Sequence, residues 1–298
     1  SVMIHPAKPG STLAVGGHGE ARPRFQQQLK TEKFFMMSSK EVDMHADMSE
    51  MARVTAGGLT IGSSTNGNVI VESVTNETTA NSGRLTLVAT ARESTVTFTK
   101  EASFRHSLTV QAGGGLIVQR NLTTHDDEVR LRSGTGALNV NRKGAIDTSG
   151  EELFIESDQM VLNGPIVTGL GATTIDCHTP GTTIGLGYGQ GTLQLQGEEF
   201  QRIHSTGLSM GGDVCGNVIV NDVQAHHSAN IEGIFTLAAR REDSHIIIGD
   251  APSSFAALVV QADNGIFISG DLSTTSDEFG ILTIDGDMRE DERNNGTY

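Results

Sequence analysis

Hydrophobic and polar positions alternate along most of the chain in short stretches, each followed by a few polar residues or a glycine. Examples are NVIVESV from residue 68, SLTVQA from residue 107 and TLQLQG from residue 192. Alternation over four to six residues, rich in Val, Ile, Leu and Thr and bounded by Gly, Asn, Asp or Ser, is typical of β-strands. The pattern therefore predicts a protein built almost entirely of short strands.

Two all-β architectures contain many evenly spaced short strands: an antiparallel sandwich or barrel, and a parallel β-helix. Tight hairpins favour Asn-Gly or Asp-Gly turns, and the pairs that begin at Asn66, Asn163, Asn264 and Asp285 are few for so many strands. Aromatic residues make up only 4% of the chain and Trp is absent, which suits a narrow interior of small aliphatic side chains. The sequence favours the parallel β-helix.

The chain also repeats itself. Residues 52–71 and 201–220 share nine of twenty aligned positions, and the match continues from 82–94 to 232–244 and from 107–129 to 257–279. Upstream, PGSTLAVGG at 9 resembles PGTTIGLGY at 180 with a larger offset, so the first copy carries roughly 22 extra residues. We predict a duplicated repeat of about 150 residues in one continuous solenoid. The first repeat covers 1–170 with an insertion at 18–40, and the second covers 171–298.

Charge and motifs exclude several classes of partner. The formal charge of −15 argues against nucleic acid, whose phosphates are bound by clustered Lys and Arg. No run of 18 apolar residues is present, so we expect no membrane insertion. The glycine-rich stretch at 185–191 lacks the spacing of a dinucleotide fingerprint, and no P-loop sequence is found. We expect no cofactor.

Two motifs have a catalytic and a structural interpretation. Residues 207–211 spell G-x-S-x-G, as in hydrolases, but the first copy has Thr at the aligned position, so Ser209 reads as a strand residue. The acidic run at 126–128 could supply an acid and a base for sugar cleavage. The aligned residues 277 and 278 are acidic as well, which is typical of a structural turn. We predict no catalytic residue.

No metal site is expected either. Asp285, Asp287 and the acidic residues at 290–292 could collect a calcium ion, but the stretch lacks the EF-hand spacing and the glycine-rich nonapeptide pattern, which favours a solvated acidic end. His226 and His227 lack the spacing of a zinc site and fit an exposed loop between two strands.

The texture of the second copy carries a family resemblance. TTIGLG, TLQLQGEEFQRIHSTGLSMGG and GNVIV, followed by LVVQADNGIFISGDLSTT, resemble the repeats of filamentous-haemagglutinin-type β-helix proteins. Such repeats occur in large secreted adhesins of bacteria and in extracellular proteins predicted in some algae and related protists. The resemblance covers most of the chain outside residues 18–40. It implies a right-handed β-helix and a location outside the cell, secreted or on the surface.

These observations lead to two hypotheses about function. The first is a non-enzymatic extracellular rod with a structural or adhesive role, as part of a surface filament or larger assembly, whose partners are other protein chains and carbohydrate. The alternative is a carbohydrate-active enzyme, a polysaccharide lyase or glycoside hydrolase, on the same fold. A cluster of carboxylates and basic residues that occurs in one copy only would favour the alternative.

Covalent modification is predicted at five positions. Cys177 and Cys215 are the only cysteines and lie about two turns apart by chain length, unless the loop at 196–206 shortens the path. They form either a disulfide in an oxidising compartment or two buried thiols. Asn76, Asn121 and Asn295 head N-x-Ser/Thr sequences and are candidate glycosylation sites, which requires exposure.

The segment at 18–40 breaks the strand pattern and is basic and apolar in an otherwise acidic chain. Its apolar residues recur at near-helical spacing, so we expect a helix of two or three turns after Pro23. It would either dock onto an acidic neighbouring chain or cover its own solenoid. The docking hypothesis rests on Arg22, Arg24, Phe25, Leu29, Phe34 and Phe35.

Overall fold

The alternating stretches form short parallel strands that wind into an all-β solenoid of about nine turns. The structure, a computed structural model, describes residues 1–17, 42–275 and 280–287. The strands are β1 Val2–Ile4, β2 Leu13–Gly16, β3 Met44–Ala46, β4 Ala56–Ser63, β5 Val69–Glu72, β6 Ser82–Ala89, β7 Val96–Phe98, β8 Ala102–Phe104, β9 Leu108–Ala112, β10 Leu116–Val118, β11 Leu122–Thr124, β12 Val129–Val140, β13 Ile146–Asp147, β14 Leu153–Leu162, β15 Ile166–Gly169, β16 Thr173–Asp176, β17 Ile184–Gly187, β18 Leu193–Leu195, β19 Ile203–Ser205, β20 Leu208–Gly212, β21 Val218–Asn221, β22 Phe235–Ala239, β23 Ile246–Ile248, β24 Ser253–Phe255, β25 Leu258–Ala262, β26 Ile266–Ile268, β27 Leu272–Thr274 and β28 Leu282–Asp285. The helices are α1 Met48–Met51, α2 Asn76–Thr79, α3 Gly197–Phe200 and a 3₁₀ turn Ala225–His227.

The strands stack into three faces, and every ladder between named strands is parallel. Face A contains β1, β4, β6, β9, β16, β20, β22, β25 and β28, together with the first part of β12 and the first part of β14. Face B contains β3, β2, β5, β7, β10, β18, β17, β21, β23 and β26, together with the second part of β12 and the second part of β14, which lie between β10 and β18. Face C contains β8, β11, β13, β15, β19, β24 and β27. The parallel pairing confirms the predicted solenoid and excludes a hairpin-built sandwich.

The core follows directly from the alternation of the sequence. In a strand successive side chains point to opposite faces, and parallel stacking in register places the inward residues of each turn above those of the last. Leu85, Leu108 and Val129 are neighbours in one such row of face A and are at most 1% exposed. Each buried aliphatic side chain contributes about 1.5–3 kcal/mol, so the core stabilises every turn.

Inward hydroxyls fasten the corner between faces C and A. Thr168 donates a hydrogen bond to the carbonyl of Gly171 at 2.8 Å, and Ser205 donates to that of Gly207 at 2.7 Å. The corner carbonyls point towards the interior, where an unsatisfied polar group costs about 1–3 kcal/mol. Buried Thr and Ser at this corner therefore complete the backbone hydrogen bonding.

One turn in each half departs from the simple winding, since β3 lies on the far side of β2 from β5 just as β18 lies on the far side of β17 from β21. After β16 the chain enters face B at β17, then steps back to β18, which pairs with β17 and lies beside β14. Helix α3 and β19 follow, and β20 resumes face A beside β16. The turn takes 35 residues, from Thr173 to its ladder partner Leu208, because it contains this extra strand.

Candidate functional site

The outward side chains of face A change in character along the rod. Near its start they are hydroxyls, as in the ladder of Thr60, Thr86 and Thr109. Further along, Ser209 lies between Thr174 and Thr236 in the same manner, as a strand residue of β20. Between these two runs, the outward positions Arg130, Arg132, Phe154 and Glu156 of β12 and β14 are charged or aromatic. This stretch, with Asp176 at the end of β16 and the adjacent corner, forms the candidate site.

The first part of the site is a network around Glu128. Arg130 binds this carboxylate with two hydrogen bonds, 2.8 and 2.9 Å long, and Arg84 lies 3.6 Å from the nearer oxygen. The guanidinium of Arg130 also lies 4.3 Å from the centre of the Phe154 ring. The hydrogen bond from Arg130 lowers the pKa of Glu128, and the same bond raises the pKa of Arg130. Both groups are therefore charged at neutral pH.

A second group of charges lies at the corner that leads into β12. Asp126 is within 3.4 Å of the Arg105 guanidinium and 3.5 Å of the His106 ring. The next residue, Asp127, has a left-handed φ of 66°, a conformation that Asp adopts more readily than most residues because its side chain is short and polar. The corner thus brings two carboxylates and two basic side chains to the edge of face A.

A shallow trough of about 580 Å³ lies beside these charges. Its walls come from successive turns, from Ser1 before β1 to Asp127 before β12, because β1, β4, β6, β9 and β12 are neighbours in face A. Glycines at 57, 58 and 83 leave the trough open. The polar residues that line it are Ser1, Thr60, Arg84, Thr86, His106, Ser107 and Asp127, of which Ser107 is buried and donates its hydroxyl to the carbonyl of Glu128 at 2.9 Å.

The third part of the site is a pair of carboxylates on adjacent turns. Glu156 is the ladder partner of Asp176, and it binds Arg132 at 3.0 Å and His178 at 2.7 Å. Burial raises the pKa of Asp176 above its ordinary value, and the charges of Glu156 and Asp213 add to this effect. A Cβ atom on Gly212 would lie 3.0 Å from the Asp176 carboxylate, so the glycine gives that carboxylate its space.

The two cysteines lie on neighbouring turns and form a disulfide in the structure, with Cα atoms 5.2 Å apart. They lie one turn apart rather than two, because the 35-residue turn contains β18 and α3, and α3 lies in the stretch 196–206 that we expected could shorten the path. Cys177 and Cys215 are 2% and 0% exposed. Their position closes the corner between faces A and B next to Asp176.

The sequons have different surroundings. Asn121 is exposed just before β11. Asn76 is half-buried at the start of α2, and Thr78, the threonine of its sequon, is buried. Asn295 lies outside the described residues, as do the docking residues Arg22, Arg24, Phe25, Leu29, Phe34 and Phe35. Glycosylation and docking stay predictions.

The remaining motif residues have structural positions. His226 and His227 lie in the 3₁₀ turn with ring centres 4.2 Å apart, and burial lowers the pKa of His227. Residues 185–191 form the end of β17 and the turn that returns to β18. Of the candidate calcium ligands, Asp285 and Asp287 are described and the acidic run at 290–292 is not.

Comparison of the chain with protein-family models, with curated proteins and with solved structures finds no match. Within the part of the chain that the structure describes, no helix has the length and apolar character needed to cross a bilayer. The resemblance to filamentous-haemagglutinin-type repeats therefore rests on sequence texture together with a solenoid fold.

Proposed function

We propose that the chain is a non-enzymatic rod with a structural or adhesive role outside the cell. The observation that carries the proposal is the parallel ladder of face A, which continues from β1 to β28. Such a ladder makes each turn depend on its neighbours and holds a long surface in one orientation. A rigid rod of this kind presents binding groups at a distance from an anchor.

Two finer features belong to the same proposal: a right-handed winding and a duplication of about 150 residues. The matched segments support the duplication. Strands β5 and β21 both lie in face B, and their first residues, Val69 and Val218, are 149 positions apart. The disulfide supports an extracellular location, because disulfides persist in oxidising compartments. Cell fractionation with an antibody to the chain tests the location, and recovery in the cytosol alone would contradict it.

The functional test uses the full chain and a panel of cell-surface polysaccharides. We expect retention of the protein on at least one immobilised polysaccharide, and no release of reducing ends or unsaturated sugars over prolonged incubation. Carbohydrate and other chains of a surface assembly are the proposed partners. A protein that cleaves a polysaccharide, or that binds neither glycan nor protein surface, would overturn the proposal.

One observation favours the alternative, a carbohydrate-active enzyme. Neighbouring parallel strands lie about 4.8 Å apart, close to the separation of about 5–5.5 Å between the two carboxyl groups of retaining glycosidases. Asp176, with its raised pKa, has the property of a general acid, and Glu156 is the second carboxylate. Cleavage of a polysaccharide would establish this alternative if Asp176→Asn abolished it. The control, Asp250→Asn at an exposed carboxylate, should leave the cleavage intact.

A further inference from the structure

We propose that the trough on face A is a binding site for a uronic acid unit of an acidic polysaccharide. The proposal rests on the proposed adhesive function and names the class of glycan that this surface binds. Its ligand would place one carboxylate on Arg84 and its hydroxyls on the other polar groups of the trough.

Arg84 is the group that gives the trough its charge preference. Its side chain is 57% exposed, and its only ion pair with another described residue is the long one of 3.6 Å to Glu128. Both oxygens of Glu128 already accept hydrogen bonds from Arg130. A carboxylate ligand can therefore bind Arg84 without leaving Glu128 unpaired, and the planar guanidinium suits a two-point contact with a carboxylate.

The other groups of the trough match the hydroxyls of a sugar. Asp127 accepts hydrogen bonds, while Thr60 and Thr86 both donate and accept. His106 lies at the same edge and contributes a ring nitrogen. A pyranose with several hydroxyls and one carboxylate satisfies this combination better than a simple anion, which has no hydroxyl to offer Asp127.

Glycine opens the trough to a ligand of this size. A Cβ atom on Gly57 would meet no atom within 4 Å, and one on Gly58 would approach only to 3.6 Å. A larger side chain at position 57 would thus project into open space at the trough without disturbing the backbone. This gives a way to block the site that is independent of Arg84.

The second half of the chain provides an internal contrast. At the positions aligned with Arg84, His106 and Ser107 it has Ile234, Ala256 and Ala257. The hydroxyl ladder persists there as Ser209 and Thr236, so the ladder alone does not define the site. The charge of −15 on the whole chain also opposes non-specific attraction of a polyanion, which leaves a local contact as the source of affinity.

The test is calorimetric titration of the full chain with trigalacturonate and with its fully methyl-esterified form, which lacks the carboxylate charges. We expect trigalacturonate to bind, the ester to bind at least ten-fold more weakly, and both Arg84→Ile and Gly57→Leu to weaken trigalacturonate at least ten-fold. Ile234→Ala, the matched change in the second half, should leave binding unchanged, and circular dichroism verifies that each variant is folded.

Equal affinity for the acid and its ester, no binding of trigalacturonate, or full binding by Arg84→Ile would overturn the inference. These outcomes are distinguishable from failure of the adhesive function. If the chain is retained on neutral polysaccharides but does not bind trigalacturonate, the proposed adhesive function stands and only the uronate site is rejected.

Discussion

The same corner of the solenoid, between faces A and B, occurs in both halves with one set of backbone hydrogen bonds. In the first half Gly10 donates to Thr65 and Gly67 donates to Ser11, both at 2.8 Å. In the second half Gly181 donates to Val214 at 2.9 Å and Gly216 to Thr182 at 2.8 Å. Gly10 and Gly181 have φ angles of 77° and 84°, which glycine adopts without steric cost.

The side chains that fasten the two corners differ completely. In the first half the buried amide of Asn66 accepts hydrogen bonds from the backbone and hydroxyl of Ser63 and donates to the carbonyl of Gly67 at 2.8 Å. In the second half the aligned position is Cys215, in the disulfide with Cys177. The backbone conformation is thus set by the glycines and the ladder, and the fastening chemistry is exchangeable. Each fastening can be removed separately.

The largest expected effect is at the second corner. The disulfide spans 38 residues, and the chain-entropy estimate for a loop of that length is about 4 kcal/mol. We expect Cys177→Ser with Cys215→Ser to lower the free energy of unfolding by about this amount in urea denaturation. Wild-type protein measured with reductant should match the double variant, and a loss below about 1 kcal/mol would show that the second corner is held mainly by its ladder.

A buried carboxylate is the second fastening of that corner. Asp158 accepts hydrogen bonds from the amides of His178 and Thr179 at 3.0 and 2.8 Å and from the hydroxyl of Thr182 at 3.0 Å. Burial raises its pKa, but these bonds and the one from the Thr179 hydroxyl outweigh burial, so the pKa lies below its ordinary value. Hydrogen bonds to a charged group contribute about 1.5–3 kcal/mol, and we expect Asp158→Asn to cost about 2 kcal/mol at pH 7.

The pH dependence follows from the lowered pKa. The ionised form stabilises the fold fully above the unfolded pKa of about 3.9, and this contribution is lost as the pH falls through the lower folded value. The stability difference between wild type and Asp158→Asn should therefore shrink as the pH falls below about 4. Asp250→Asn, at an exposed position, is the control, and a difference that is constant with pH would contradict the assignment.

The first corner should respond less. Asn66→Ala leaves the Ser63 amide without its acceptor in a partly buried position, and an unsatisfied group of this kind costs about 1–3 kcal/mol. We expect a loss of about 1 kcal/mol in urea denaturation, because water can reach Ser63 and replace part of the bond. Ser64→Ala, at the exposed neighbour, should have no effect. A loss as large as that from the disulfide would make the two fastenings equivalent.

The sequence predicts the fold because the information is local. Strand positions and the buried row follow from alternation that can be read within six residues, as in the stretch that begins at Asn68. The parallel winding follows from the few Asn-Gly and Asp-Gly pairs and the low aromatic content. The reversed order of β17 and β18 could not be predicted, because nothing in residues 184–195 indicates that the second strand steps back along the rod. The same turn places the cysteines one turn apart although 38 residues separate them.

The charged site was harder to find because its residues come from separate turns. The acidic run at 126–128 was set aside since residues 277 and 278 repeat it. Its basic neighbours are the informative ones: Arg84 and His106 have no charged counterpart in the second half. A comparison of the copies for charge rather than for motifs would have identified them. The carboxylate pair of Glu156 and Asp176 needs the ladder register, which the sequence does not contain.

The smallest effect is expected at Asp176, beside the disulfide, and it has the opposite sign. Burial is the main cause that raises its pKa, followed by the charges of Glu156 and Asp213. A carboxylate with a folded pKa above its unfolded value destabilises the fold while it is ionised, and this penalty disappears as the pH falls below the unfolded pKa. Asp176→Asn removes the charge and keeps an oxygen for the amide of Cys177, which donates at 2.8 Å.

We therefore expect Asp176→Asn to raise the free energy of unfolding at pH 7 by less than about 1 kcal/mol, as is usual for substitutions close to the surface. At pH 3 we expect no effect. Urea denaturation at the two pH values measures this, with Asp250→Asn as the neutral control. A loss of stability at pH 7 would mean that the charge is needed to hold Cys177 and the corner. A gain of stability would mean that the carboxylate of Asp176 lowers the stability of the fold, as is often observed for residues that are retained for a function. Asp176 would then be the first position to examine for polysaccharide cleavage.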